Sequence, residues 1–197
     1  MHPFSSGKYA ILFWVTFSLW WIPEVVGTFL QRAKAGDRTK VQDRGSYLVL
    51  IVLMFAGIGL AFLFADILPR ATITWNQIPV FFVGIVFMLA GVAFRWYAIW
   101  TLGRFFTRNV ATHADQKVVQ HGPYTLIRHP AYAGTILTML GLGLAMTNWV
   151  SMLVLVICNL VGHFYRIHVE EQLLMINLGQ PYIAYMQHTK RFIPFVY

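Results

Sequence analysis

Charge is scarce in this chain. Only 11% of its 197 residues are Asp, Glu, Lys or Arg, against about 25% in a soluble globular domain. A water-facing surface of ordinary size cannot be built from so few, which excludes a soluble globular fold. Acidic side chains are the scarcer kind, 7 against 15 basic ones. In a soluble protein the net charge of +8 would suggest nucleic acid. In an apolar chain it marks loops that face an anionic membrane leaflet, and no nucleic-acid partner is expected. The single cysteine, Cys158, sits inside an apolar run, which excludes an intramolecular disulfide and a multi-cysteine metal site. His113, His121 and His188 lack the paired spacing of metal ligands, so no metal is expected. The closing Phe-Val-Tyr is not a prenylation box, and no internal repeat or low-complexity segment is visible.

What remains is hydrophobic, 58% of the residues with a mean hydropathy of +0.61. Five apolar stretches can be drawn, roughly Tyr9–Leu30, Tyr47–Leu68, Ile78–Leu102, Ala131–Met146 and Trp149–Tyr165. A spanning helix needs about 20 apolar residues, a length the first three reach. The last two are short and joined only by Thr147 and Asn148, the pattern of a tight helical hairpin. The first stretch is too long for a signal-peptide core. Its one small-residue site, Ala33-Lys34-Ala35, follows Arg32 and reads as loop, so the stretch is expected to be retained. The expected fold class is all-α: a polytopic membrane helix bundle of about five transmembrane helices with a cytoplasmic C-terminal helical tail. Residues 1–102 hold three spans, and 103–197 hold the hairpin, the tail and the polar motifs.

Lys and Arg set the orientation. One side collects Arg32, Lys34, Arg38, Lys40 and Arg44, then Arg104, Arg108, Lys117 and Arg128, then Arg166, Lys190 and Arg191. The other side holds only Lys8 and Arg70, with Arg95 inside a span. This places the N-terminus outside, and the basic segments and the C-terminus in the cytoplasm. Two ionisable residues, Glu24 and Arg95, lie within spans at similar depth. Charges in hydrocarbon are expensive and usually paired or functional, so both are expected to face the bundle interior and to pair.

The polarity changes abruptly at residues 121–134, HGPYTLIRHPAYAG. Gly122-Pro123 makes a turn that presents Tyr124. Pro130 suits the first turn of a helix, where its missing N–H is not needed, with His129 near the N-cap. The N–H groups of Ala131, Tyr132 and Ala133 then form a terminus that attracts an anion. Beside two tyrosine faces this suits a ligand with a flat ring and a carboxylate. An interfacial belt of Tyr, His and Arg fits the same residues.

A second cluster favours the ligand site. Asn159, His163, Arg166 and Glu170, spaced four, three and four apart, make one polar stripe running up into the last span. Such a stripe lines a pocket more often than it faces lipid. His168 and Glu171 point elsewhere and are expected to be solvated. Gly179 then reads as a helix C-cap and Pro181 as the first turn of a new helix. That helix puts Tyr182, Tyr185 and Met186 on one face, either over the pocket or on the membrane surface.

Together these motifs resemble a known family. Gly-Pro-Tyr-x-x-x-Arg-His-Pro-x-Tyr-x-Gly (Gly122 to Gly134) precedes a hairpin. Arg-x-x-x-Glu-Glu-x-x-Leu (Arg166 to Leu174), Leu-Gly-x-x-Tyr-x-x-Tyr (Leu178 to Tyr185) and Ile193-Pro194 follow. The pattern is similar to that of the isoprenylcysteine carboxyl methyltransferases and covers Leu102 to Pro194. The resemblance implies an integral-membrane enzyme that uses S-adenosylmethionine. It implies cofactor binding by Gln116, Lys117, Val118 and Val119, by Tyr124, by His129, Pro130, Ala131 and Tyr132, and by Glu170. Gln116 stands where the family often has histidine, and Asn109 where relatives have a cofactor-contacting amide. Arg166 would hold the substrate carboxylate, with His163 beside it, so that Arg166 and Glu170 are the residues nearest the chemistry.

The implied partner is a lipophilic small molecule or a lipid-modified substrate within membrane lipid, carboxyl-methylated on the cytoplasmic side. The membrane would be the inner membrane of a prokaryote or the endoplasmic reticulum of a eukaryote. The same residues leave other readings open. Amine or thiol methylation would use His163 or Glu170 as base. A nicotinamide-dependent membrane reductase would need more spans. A small transporter would need no cofactor. Gly134, Gly141 and Gly143 permit close helix packing within the hairpin or between protomers.

Overall fold

The computed structural model of the chain describes residues 3–5, 7–34, 40–41, 45–106, 111–112 and 117–192, with the side chains of 28–44 and 107–116 excepted. Six helices account for most of it: α1 (Gly7–Lys34), α2 (Ser46–Ile67), α3 (Gln77–Leu102), α4 (Pro130–Ala145), α5 (Trp149–Leu178) and α6 (Gln180–His188). A two-residue antiparallel pairing of Lys40–Val41 with Ala111–Thr112 is the one ladder between named strands among the described residues, so the class is all-α as expected. α1, α2, α3 and α5 are long and apolar enough to cross a membrane. Their outer faces are apolar: Ile11, Val52, Val86 and Ile157 are each more than half exposed. Only a lipid solvent makes such a surface stable, and the chain is a multi-pass membrane protein.

The expectation of about five transmembrane helices, the last two short, is refined in two ways. α4 has 16 residues and is about 24 Å long. Most of it is buried between α3 and α5, so little of it meets lipid. α5 instead has 30 residues, about 45 Å, and carries the chain unbroken from the hairpin turn through the whole polar stripe. Nothing in Tyr165–Leu178 breaks a helix, and Arg166 and Glu171 there are buried in the protein.

The glycines of α4 determine which helix it touches. α3 and α4 run antiparallel in backbone contact. A Cβ added at Gly141 would stand 2.5 Å from the Met88 nitrogen, and one added at Gly134 2.8 Å from the Gly91 carbonyl oxygen. Gly143 serves the hairpin instead, facing Met152 on α5. Small residues let helices approach where lipid supplies no hydrophobic drive between them. Gly141→Val is therefore expected to cost about 1–3 kcal/mol by overpacking, read as a lowered midpoint of thermal unfolding in detergent.

The hairpin turn is locked by polar groups in an otherwise apolar region. Asn148 caps α5 by accepting from the Ser151 amide at 3.1 Å and donates to the Leu68 carbonyl at 3.2 Å. The Ser151 hydroxyl donates to the Ala61 carbonyl at 2.6 Å, tying α5 to α2. Below the turn lies the main core, formed by Phe13, Phe81, Met88, Met139, Leu142 and Leu155 among others. All polar motifs gather at the opposite end of the bundle.

Candidate active site

The segment entering α4 is positioned by main-chain bonds. Residues 126–129 run beside the stretch that follows α6: Arg128 N donates to Lys190 O at 2.7 Å, Lys190 N to Leu126 O at 3.1 Å and His129 N to Arg191 O at 3.1 Å. Gly122 takes a left-handed φ of 59°, which glycine adopts without a Cβ penalty. It opens a 3-10 turn, Gly122–Thr125, that buries Tyr124. Pro130 begins α4 with His129 at the N-cap, as the sequence indicates. The anion site expected at this terminus is corrected. The Tyr132 and Ala133 amides both donate to the His129 carbonyl at 3.1 Å, so two of the three N–H groups are already used by the helix itself.

Arg128 holds α6 in place. Its guanidinium donates to Glu171 Oε1 at 2.9 Å, to the Met186 carbonyl at 3.2 Å and to the Thr189 carbonyl. Glu171 is only 3% exposed, contrary to its expected solvation. Besides Arg128 it accepts from Arg191 Nε at 3.0 Å, and His129 Nε2 lies 3.3 Å away. The reason is register: Glu171 is five residues past Arg166, which turns it toward the 126–129 segment and away from the stripe. α6 thus lies over the polar end of the bundle, with Tyr182 and Tyr185 buried. Gly179 and Pro181 have the places expected of them, and the Tyr185 hydroxyl donates to the Tyr124 carbonyl at 2.7 Å.

Tyr132 is the centre of the stripe. Its hydroxyl donates to Glu170 Oε2 at 2.7 Å and accepts from Arg166 Nε at 3.3 Å. Its ring stacks on His129, with centroids 5.6 Å apart and planes 12° off parallel. Arg166, 1% exposed, also donates to the Ser46 hydroxyl at 2.9 Å. The expected Glu24–Arg95 pair forms as a two-point contact, Nε to Oε1 at 2.5 Å and Nη2 to Oε2 at 3.0 Å. Arg95 Nη1 donates to the Ala131 carbonyl at 3.2 Å as well.

Two cavities open on either side of Tyr132. The larger, about 320 Å³, is mainly apolar. Trp20, Trp21 and Glu24 of α1 and Tyr47, Ile51 and Met54 of α2 form one wall; Arg95, Tyr132, Thr135, His163 and Arg166 form the other. The smaller, about 100 Å³, is bounded by Lys117, Val118 and Val119, by Tyr124, Arg128 and His129, by Ala131 and Tyr132, by Glu170, and by Tyr182 and Tyr185. Tyr132 and Phe106 line both. Three tyrosine hydroxyls around the smaller cavity stay protonated. Burial first, then the Glu170 carboxylate, pushes Tyr124 up. Burial and the Glu171 carboxylate do the same for Tyr182, and burial pushes Tyr185 up to about 12. They act as donors and faces, with no base among them near neutral pH.

The sequence-derived residues therefore divide cleanly. Lys117, Val118, Val119, Tyr124, His129, Ala131, Tyr132 and Glu170 meet around the smaller cavity. Arg166 and His163 meet at the larger one. Pro130 is buried at the helix start and lines neither. Asn109, Gln116, Ile193 and Pro194 lie outside the described residues. The sequence reading missed Arg128, Glu171, Ser46 and the walls made by α1 and α2, while α6 covers the smaller cavity, one of the two places offered for it. One signal was available: an arginine without a role and an acid without a partner were complementary.

Residues 83–176 match the model of the isoprenylcysteine carboxyl methyltransferase (ICMT) family. A probable protein-S-isoprenylcysteine O-methyltransferase of Oryza sativa subsp. indica is 31% identical over 117 residues, 58% of this chain and 61% of that protein. Protein-S-isoprenylcysteine O-methyltransferase A of Arabidopsis thaliana is 32% identical over 117 residues, 57% of this chain and 58% of its own length. The chain thus spans about three fifths of these plant relatives. Among solved structures, the eukaryotic intramembrane Ras methyltransferase (isoprenylcysteine carboxyl methyltransferase) superposes with a TM-score of 0.61 at 26% identity, covering 74% of this chain and 52% of that one. The matched region begins in α3 and runs through α4 and most of α5, which carry Tyr132, His163, Arg166 and Glu170, and through it this chain is similar to the isoprenylcysteine carboxyl methyltransferase family.

Proposed function

We propose that this protein is an integral-membrane methyltransferase that moves a methyl group from S-adenosylmethionine to the carboxylate of a lipophilic, isoprenylcysteine-like acid. The observation that carries the reading is the pair of cavities meeting at Tyr132, one apolar and walled by membrane helices, the other polar and aromatic. The chemistry of the smaller cavity fits the cofactor. Glu170 offers an acceptor for cationic and hydroxyl groups, Tyr124 and Tyr182 offer faces for a flat ring, and Lys117 offers a cation for a carboxylate. Its volume is below the about 300 Å³ at which ligand pockets begin.

When bound, the cofactor supplies an electrophilic methyl carbon on a positively charged sulfur, which a carboxylate oxygen takes without any proton changing hands. A carboxylate with a pKa of about 4 is already ionised at neutral pH and needs no base. The protein's task is orientation and exclusion of water. Arg166 holds and aims the carboxylate, and Tyr132 fixes Arg166 and Glu170 relative to each other. The wall of α1 and α2 takes the lipid tail, which reaches it laterally from the bilayer. In this reading residues 103–197 do the chemistry on the cytoplasmic face, and residues 1–102 build the lipid wall.

The test is incubation of the purified protein in detergent with methyl-labelled S-adenosylmethionine and three acceptors: an S-farnesylcysteine derivative, phosphatidylethanolamine and a simple alkyl thiol. Label on the first that base releases as methanol is expected, because an ester hydrolyses and an N- or S-methyl group does not. Base-stable label on either of the others overturns carboxyl methylation. No transfer and no saturable cofactor binding overturns the enzyme reading.

A further inference from the structure

His163 has one ring nitrogen that the fold does not use. Its Nδ1 lies 2.8 Å from the carbonyl oxygen of Asn159, one turn back. A carbonyl oxygen only accepts, so Nδ1 carries the proton and donates. The ring stands edge-on to Tyr132, with centroids 5.0 Å apart at 66°, but the Tyr132 hydroxyl already donates to Glu170. Buried side-chain polar atoms with neither a partner nor open space beside them are three among the described residues: Trp20 Nε1, Asn159 Oδ1 and the Tyr182 hydroxyl. His163 Nε2 is not one of these, although the residue is only 2% exposed. The open space it meets is the larger cavity, which His163 lines. Arg95 and Arg166 line the same cavity. A third cation beside them in a low dielectric is disfavoured, so Nε2 presents a lone pair.

That lone pair selects what stands next to the substrate's carboxylate. His163 and Arg166 are three residues apart on one face of α5, which puts their Cβ atoms about 5–6 Å from each other. A carboxylate held by Arg166 brings the substituents of its α-carbon within reach of Nε2. A lone pair gains nothing from a methylene and repels a second carboxylate oxygen, whereas an N–H satisfies it. We propose that His163 Nε2 accepts a hydrogen bond from an N–H on the carbon bearing the methylated carboxylate. The site then prefers α-acylamino acids to acids with plain hydrocarbon beside the carboxyl group. This rests on the carboxyl-methylation reading and adds the recognition element beside the reacting group.

Three acids with one farnesyl tail test it. N-acetyl-S-farnesylcysteine carries the N–H, S-farnesylthiopropionic acid lacks the acetamido group, and N-acetyl-N-methyl-S-farnesylcysteine keeps the carbonyl but loses the N–H. Dissociation constants come from quenching of tryptophan fluorescence, since Trp20 and Trp21 line the cavity, and kcat/KM comes from label transfer. The wild-type protein is expected to favour the first acid over the other two by about 5- to 10-fold in both measures, the worth of one hydrogen bond. In His163→Leu the preference falls to near unity, and His163→Gln, whose amide oxygen accepts, recovers part of it. Equal binding of the three acids by wild type overturns the assignment, as does an unchanged preference in His163→Leu. Should His163→Leu not fold, the wild-type preference and His163→Gln decide. Binding without methylation of any acid sinks carboxyl methylation instead, and the binding preference still decides the role of His163.

Discussion

Replacing Arg166 by lysine is expected to lower kcat/KM for a lipophilic carboxylate by about 10²- to 10³-fold, the range seen when one preorganised donor to a reacting oxygen is removed. Alanine should cost at least as much. Lysine keeps the charge, so the size of its defect separates charge from shape. Arg166 contributes shape. It donates to the Tyr132 hydroxyl and the Ser46 hydroxyl at once, and its Cζ lies 5.7 Å from the Tyr47 ring centroid. A planar fork can keep such contacts and still present a bidentate edge; an ammonium on a flexible stem cannot. The smaller cavity does not include Arg166, so cofactor binding should survive in both variants and serves as the control for folding. If Arg166→Lys keeps more than about a third of wild-type efficiency, positive charge alone is enough and the aiming role is wrong.

Glu171→Gln should be the most destabilising single change at the polar end, costing about 3–5 kcal/mol because it leaves the buried Arg128 guanidinium without its counter-charge. In a chain of this size that corresponds to a fall of roughly 10 °C in the thermal midpoint. Glu171 faces Arg128, Arg191 and His129 together, and Arg128 also holds two carbonyls at the end of α6. Losing the acid therefore loosens α6 and the 126–129 segment in one step. Glu170→Gln, one residue earlier, removes a negative charge from the smaller cavity. It should reduce cofactor affinity with a much smaller fall in the thermal midpoint. Equal thermal shifts in the two variants would contradict the division of labour between these adjacent acids.

How much was legible in the sequence depended on the kind of signal. Helix boundaries came through within a few residues wherever hydropathy changed sharply or a Gly or Pro stood at the end: Ser46–Ile67, Gln77–Leu102 and Pro130–Ala145 all follow such marks. For α5 the two marks disagreed: Gly179 gave the C-cap correctly, while hydropathy closed the span at Tyr165, because a helix that changes from lipid to protein surroundings keeps its period while its polarity rises. Glu24 and Arg95 were legible as a pair because hydrocarbon leaves an ion few alternatives. Glu171 was not, since at a membrane surface a glutamate is equally at home in water and only the tertiary fold supplies Arg128. The residues of the smaller cavity came as a set only through the family resemblance: the Gly-Pro turn and the Pro130 helix start mark a polar junction, but nothing in 117–119 or at Glu170 marks by itself the same cavity. The walls from Trp20, Tyr47 and Met54 were invisible as site residues, because an aromatic or thioether that faces a cavity looks the same in sequence as one that faces lipid.

The shortness of α4 has a kinetic meaning. The hydrocarbon layer is about 30 Å thick, and 16 residues of helix cross about 24 Å of it. A bilayer boundary at the Thr147–Asn148 turn would put Tyr132 several Å beneath the other. Under the proposed function, a tailed acid can then bring its head group to Arg166 while its hydrocarbon never leaves the leaflet. The encounter is two-dimensional, and the concentration that matters is the mole fraction of acceptor among lipids, not its molarity in water. Adding inert lipid or detergent at fixed total substrate should raise the apparent KM in proportion, the surface dilution expected of a catalyst recessed in its own solvent.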